Sequence, residues 1–166
     1  MKADKVYLVG FMGAGKTSVG RALARRLDWR FNDIDEMIEQ RERLAVAEIF
    51  SRHGEPHFRT AERAVLADQL PTRHAVVATG GGTFVDPQNR AVIKADGAVI
   101  WLDVPIERVI ARIPQDGRRP LASDRGSLER LYDSRRSSYE QAHLRLDASR
   151  PGVELLVDEL VEWLEA

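Results

Sequence analysis

Gly10-Phe11-Met12-Gly13-Ala14-Gly15-Lys16-Thr17 matches the pattern G-x-x-x-x-G-K-[S/T] at every specified position. Glycines so spaced let the backbone turn tightly, so several N–H groups converge on one point and Lys16 adds a mobile charge there. The apolar run Val6-Tyr7-Leu8-Val9 precedes the motif, and an amphipathic stretch begins at Ser18. A strand that stops at a glycine turn and restarts as a helix suits a polyphosphate, and the Thr17 hydroxyl suits its Mg²⁺. Gly13, Ala14, Gly15, Lys16, Thr17 and Ser18 are therefore expected to cradle a nucleotide.

Other residues carry charge in informative places. Asp33 and Asp35 flank Ile34 at the end of a weak strand-like run. In extended chain, residues i and i+2 point the same way, so two carboxylates would share one face and call for a cation or hydroxyl donors between them. Either also suits the N-cap of a helix through Met37 and Ile38, although the carboxyl edge of a sheet favours a ligand. Arg135 falls mid-stripe among Leu128, Leu131, Tyr132, Tyr139 and Ala142, on the helix face expected to be buried. A guanidinium there needs an anion, whether a ligand or an internal carboxylate, unless its stem snorkels. Arg59 and Glu62 are helical neighbours, by themselves an ordinary surface pair. Gly80-Gly81-Gly82 follows an apolar run directly and lets backbone press against a ligand. Ile100-Trp101-Leu102-Asp103 has the look of a strand ending in a metal-binding Asp, but Val104-Pro105 follows and Asp103 reads as a turn or cap residue. His53, His57, His74 and His143 show no metal-ligand spacing and read as structural.

These residues need elements to hold them. Short apolar runs at 6–9, 74–79 and 98–102, with weaker ones at 30–34 and 143–147, fit strands covered on both faces. Between them lie helical patterns: Val19, Leu23 and Leu27; then Met37 and Ile38, broken near Leu44, with Val46, Ile49 and Phe50; then Phe58, Ala61, Val65 and Leu66, with Pro56 in the first turn. A late helix carries Arg135, and another spans 153–164. Strand and helix alternate, which gives an α/β fold: a five-stranded parallel sheet flanked by helices. The 166 residues suit one domain over 1–166. A net charge of −1 speaks against nucleic acid or a membrane as partner. With no cysteine there is no disulfide or thiol chemistry, and no apolar run has the length of a membrane span, so a cytoplasmic protein is expected. The segment from Pro114 to Gly126 has two Pro, two Gly and three Arg with no periodicity, which suits a loop closing over phosphates.

In this order the pieces resemble the shikimate kinase family, in the nucleoside-monophosphate-kinase-like group of P-loop proteins. The matching stretches are the glycine loop with Val19-Gly20-Arg21, Phe31-Asn32-Asp33-Ile34-Asp35 through Ile38-Glu39, and Ile49-Phe50. Gly54-Glu55-Pro56-His57-Phe58-Arg59 with Glu62 follows, then Gly80-Gly81-Gly82, Trp101-Leu102, Arg118-Arg119-Pro120-Leu121, and Arg135 with Tyr139 and Ala142. The resemblance implies a three-layer sandwich with a mobile lid near 112–125 and acceptor-binding helices over about 33–62. It implies transfer of the ATP γ-phosphoryl group to the 3-hydroxyl of shikimate, by a monomer. Asp35, Phe58, Arg59, Glu62, Gly80, Gly81, Gly82 and Arg135 correspond to the shikimate site, with both arginines toward its carboxylate. Thr17 and Asp33 correspond to the Mg²⁺ side, and Lys16, Asp35 and Arg119 to the groups around the transferred phosphoryl. Arg112 and Arg150 fall near adenine-contacting positions. Arg43 stands where a glycine is usual, Arg136-Ser137-Ser138 where Pro-Leu is usual before the tyrosine, and Ala122 where leucine is. A related cyclitol as acceptor, a gluconate-type kinase and a catalytically silent ATP-binding relative are the alternatives.

Overall fold

Near-continuous apolar runs become strands shielded on both faces. The computed structural model describes residues 1–112, 124–150 and 152–166. Strands β1 (Lys5–Val9), β2 (Arg30–Asp33), β3 (Ala75–Ala78), β4 (Ala98–Asp103) and β5 (Leu144–Asp147) form one parallel sheet in the order β2-β3-β1-β4-β5. Every residue of β1, β3 and β4 is buried, whereas β2 and β5, at the two edges, are only partly covered. Helices α1 (Lys16–Leu27), α2 (Ile34–Glu42), α3 (Val46–His53), α4 (Glu55–Gln69), α5 (Pro87–Asp96), α6 (Ile106–Arg112), α7 (Arg125–Tyr139) and α8 (Val153–Glu165) connect and cover the strands.

The five expected strands and their parallel sense are present. The helix break near Leu44 is also present: α2 stops at Arg43, whose φ of 57° is left-handed, the conformation that a glycine would adopt without strain. Helix α5 escaped the periodicity reading, although Asp86-Pro87 marks its start: the Asp86 carboxylate accepts from the N–H groups of Gln88 and Asn89. Of the segment read as a lid, residues 113–123, with Arg119, lie outside the described residues, while Arg112 ends α6 and Arg125 opens α7.

The order of strands fixes where a ligand fits. Parallel strands all end at the same edge, and the chain leaves the neighbours β1 and β3 into the two glycine segments. The opposite edge is tied down by charge. Lys5 is fully buried; its ammonium lies 2.7 Å from Asp96 and also donates to the Gln69 carbonyl. Tyr7 donates to the same carboxylate at 2.6 Å, and Arg73 bridges Asp96 to Asp4. Burial alone would raise the Asp96 pKa, but donation from Lys5, Tyr7 and Arg73 outweighs it and holds that pKa below the usual carboxylate range.

A buried ammonium without its counterion is expensive, so Asp96→Ala should cost about 3 kcal/mol in urea unfolding. The depressed pKa also sets a sign: the pair stabilises above the ordinary carboxylate pKa of about 4 and is lost as pH falls below it. Wild type should therefore lose more stability between about pH 5 and 2 than Asp96→Asn does, in parallel urea titrations.

Candidate functional site

At the carboxyl edge, the glycine loop follows β1 and ends in α1. Gly15 caps α1 with a left-handed φ of 95°. Gly10 lies so close to β4 that a Cβ there would stand 2.7 Å from the Leu102 carbonyl oxygen. Among the described helices, α1 alone has neither a side chain capping its first turn nor an acid within it. Helices α2, α5 and α7 start on Asp33, Asp86 and Asp124, and α3, α4, α6 and α8 carry Glu48, Glu55, Glu107 and Glu154 in their first turns. The amides and positive dipole end of α1 are thus left to an outside anion. The Lys16 ammonium folds back onto the carbonyls of Gly10 and Phe11, at 2.7 and 3.0 Å.

A cavity of about 850 Å³ opens there, lined by Gly13 to Ser18, Asp33, Asp35, Gly80, Gly81, Arg112 and Arg150. Arg112 reaches the Gly13 carbonyl at 3.1 Å, and Arg150 pairs with Glu159. The two aspartates reach the cavity by a different route from the one expected. Strand β2 ends at Asp33, so Asp35 belongs to the first turn of α2 and not to extended chain. Asp33 does both jobs weighed for it: Oδ1 caps α2 by accepting from the Glu36 amide, and Oδ2 accepts from the Thr17 hydroxyl at 3.0 Å. A hydroxyl and a carboxylate oxygen side by side form a donor set that fits a hard divalent cation.

Beyond this cavity lie the residues around the second glycine segment. Gly80, Gly81 and Gly82 each face one charged side chain. A Cβ at 80 would stand 2.7 Å from Oδ1 of Asp35, at 81 2.9 Å from a guanidinium nitrogen of Arg135, and at 82 2.5 Å from a guanidinium nitrogen of Arg59. Three consecutive residues thus gather charged groups from α2, α7 and α4 onto one strand end. Arg59 and Glu62 are more than a surface pair: Glu62 is 1% exposed, accepts from Arg59 at 3.0 and 3.2 Å, and also accepts from Thr83 at 2.8 Å. Phe58 is buried beneath, against Phe50, with the Arg59 guanidinium 5.2 Å from its ring.

Arg135 is 6% exposed, as its place on the apolar stripe predicted. Among the described residues, no carboxylate lies at salt-bridge distance from it, and the nearby Arg59 pairs with Glu62 and Glu55. Its own neighbours are the Phe11 ring, at 5.7 Å, and Tyr139. Burial lowers its pKa and the like charge of Arg59 adds to that, with Tyr139 and the Glu55 carboxylate opposing. Burial likewise pushes the Tyr139 phenol up to about 12 against the pull of Arg135, so it stays protonated and donates to the Gly81 carbonyl. Two buried or half-buried guanidiniums around one space make a receptor for a carboxylate.

Comparison with known proteins follows this geometry closely. The shikimate kinase family model matches residues 12–165. The chain belongs to the shikimate kinase family. It is 41% identical over 163 residues to the shikimate kinase of Geobacter metallireducens, covering 96% of this chain and 91% of that one. Against the shikimate kinase of Chromobacterium violaceum it is 43% identical over 166 residues, covering 98% and 90%. The structure of Acinetobacter baumannii shikimate kinase in complex with shikimate superposes with a TM-score of 0.92 at 34% identity, covering 98% and 93%.

Within this shikimate kinase fold two residues differ from, or were missed by, the sequence reading. Asp103 is neither turn nor cap: it is the last residue of β4, nearly buried, and pairs with Arg136 at 3.2 Å and with Arg145 at 2.5 Å. Burial near two guanidiniums makes it an anchor for α7 and β5. Thr83 was overlooked, although a hydroxyl residue directly after a glycine triplet at a strand end is a usable signal.

Gly82→Ala should push the Arg59 guanidinium off its place while leaving the nucleotide side untouched. Calorimetry should show ATP affinity changed by less than about twofold, as expected for separated sites. Acceptor affinity should fall at least fivefold. Equal losses of both would mean that the glycine serves the fold rather than Arg59.

Proposed function

We propose that the chain phosphorylates the 3-hydroxyl of shikimate with ATP as donor, giving shikimate 3-phosphate and ADP. The observation that carries this reading is the convergence of Asp35, Arg135 and Arg59 on the glycine triplet, beside a glycine loop whose helix has no acid in its first turn. A carboxylate for hydroxyls, set next to two guanidiniums for a carboxylate, is the complement of a small hydroxylated acid. A neutral polyol gives no reason for the two guanidiniums, and the match to the shikimate kinase family favours shikimate over an open-chain hydroxy acid such as gluconate.

Phosphoryl transfer asks little covalent chemistry of the protein and much alignment. In this reading the Gly13 to Ser18 amides and Lys16 hold the ATP phosphates, and Arg112 and Arg150 flank the adenine. Thr17 and Asp33 hold Mg²⁺, which when bound would neutralise charge on the phosphates. Asp35 orients the reacting hydroxyl and is placed to accept its proton. Arg59, fixed by Glu62 above Phe58, and Arg135 hold the carboxylate so that the hydroxyl faces the glycine loop. Arg119, outside the described residues, is assigned to the phosphates by the family resemblance. The enzyme acts as a monomer in the cytoplasm; among the described residues no helix is long and apolar enough to cross a membrane.

ADP release measured with shikimate, with gluconate and with no acceptor tests the assignment: turnover should require shikimate. Lys16→Ala should lower that turnover about 10³-fold while leaving the circular dichroism spectrum unchanged, because the lysine meets charge that develops on the transferred group. Arg135→Lys keeps the charge but loses the planar fork, so shikimate binding should weaken by about 1–3 kcal/mol with ATP binding little changed. An analogue with a neutral amide in place of the carboxylate should bind wild type poorly, and Arg135→Lys should discriminate much less between the two. Equal acceptance of amide and acid by wild type would refute the carboxylate clamp.

A further inference from the structure

We propose that Thr83 is a positioning residue that sets the spacing between the two halves of the acceptor site, the Asp35 half and the Arg59 half. The inference rests on the acceptor reading above. Thr83 is fully buried in a short 3-10 turn (Thr83–Val85), directly after the glycine triplet. Its hydroxyl accepts from the Gly80 amide at 3.0 Å and donates to Oε2 of Glu62 at 2.8 Å. Each end of that two-bond relay touches one half of the site. Gly80 is the residue against which the Asp35 carboxylate packs. Glu62 is the residue that grips Arg59 with both oxygens.

The hydroxyl decides more than one bond length. Arg59 has a second carboxylate within reach, Glu55, at 3.4 Å and half exposed on the same helix. Arg59 donates to Glu62 through Nη1 and to Glu55 through Nη2 at once, and Glu62 is also held from the far side. With Thr83 donating to Oε2, its carboxylate plane is fixed, and Arg59 must come to it over Gly82. Remove the hydroxyl, and the Gly80 amide loses its acceptor, Glu62 loses a donor, and the hold of Glu62 on Arg59 loosens while the bond to Glu55 remains. The guanidinium then stands at the wrong distance from Asp35 for a ligand whose carboxylate and hydroxyl are rigidly spaced. A threonine here therefore works on acceptor recognition without touching the acceptor. Its Cγ methyl also keeps the hydroxyl in one rotamer, which a serine would hold less firmly.

The test compares Thr83→Val, which keeps shape and loses the hydroxyl, with Thr83→Ser, which keeps the hydroxyl. Steady-state assays should show the KM for shikimate raised tenfold or more in Thr83→Val, with the KM for ATP within twofold of wild type. Thr83→Ser should return the shikimate KM to within threefold of wild type. An unchanged shikimate KM in Thr83→Val, or a parallel rise in both KM values, overturns the proposal. Should Thr83→Val not fold, Thr83→Ser carries the test: a tenfold rise in its shikimate KM would assign the effect to the methyl group and overturn the hydroxyl relay, and a KM within threefold would support it. Wild type run alongside keeps the two readings apart. If wild type fails to phosphorylate shikimate, the acceptor assignment has failed; if it succeeds and Thr83→Val matches it, the positioning role has failed.

Discussion

The space that side chains at residues 80, 81 and 82 would fill is already taken by Asp35, Arg135 and Arg59. Much of the site depends on that exclusion. A strand end with no side chains lets charged groups from three helices approach one stretch of backbone, where ordinary residues would hold them apart. The approach is unfavourable by itself, because two guanidiniums near one another repel and lose hydration. The surrounding bonds are what hold them: Glu62 grips Arg59, Tyr139 fixes the Gly81 carbonyl, and Asp103 anchors α7 through Arg136. Repulsion left over is the attraction that an incoming anion relieves.

Charge is arranged differently at the two edges of the sheet. Around Asp96 every cation has a carboxylate, and the network is closed. At the ligand edge α1 begins without an acid, and Arg135 is buried without a carboxylate at salt-bridge distance among the described residues. A closed network adds stability, whereas an open one is costly until something binds. The fold keeps the two apart by the length of a strand, so weakening one edge leaves the geometry of the other intact.

How much of this was legible in the sequence follows from the range of each signal. The glycine loop and the five strands are local patterns, readable from spacing and from runs of apolar residues. Arg135 was found because a helical wheel converts sequence into burial. The positions of Asp33 and Asp35 were misread in detail because the helix starts two residues earlier than the extended pairing required, and capping boundaries turn on single hydrogen bonds. The partners of Thr83, the role of Asp103 and the pairing of each glycine with one charged side chain were not legible. Those contacts join residues remote in sequence, and no periodicity carries them.

Strand β1 lies at the centre of the sheet, and its partners come late in the chain: Lys5 pairs with Ala75, and Val6 with Ala98. The glycine loop hangs from the end of that strand, and Gly10 is boxed in by Leu102. During synthesis the glycine loop is therefore made well before the two strands that flank β1 and the carbonyl that boxes it in. Closing two long parallel crossovers is slow compared with forming local helices. Competence to hold a nucleotide thus waits on strands made after its signature.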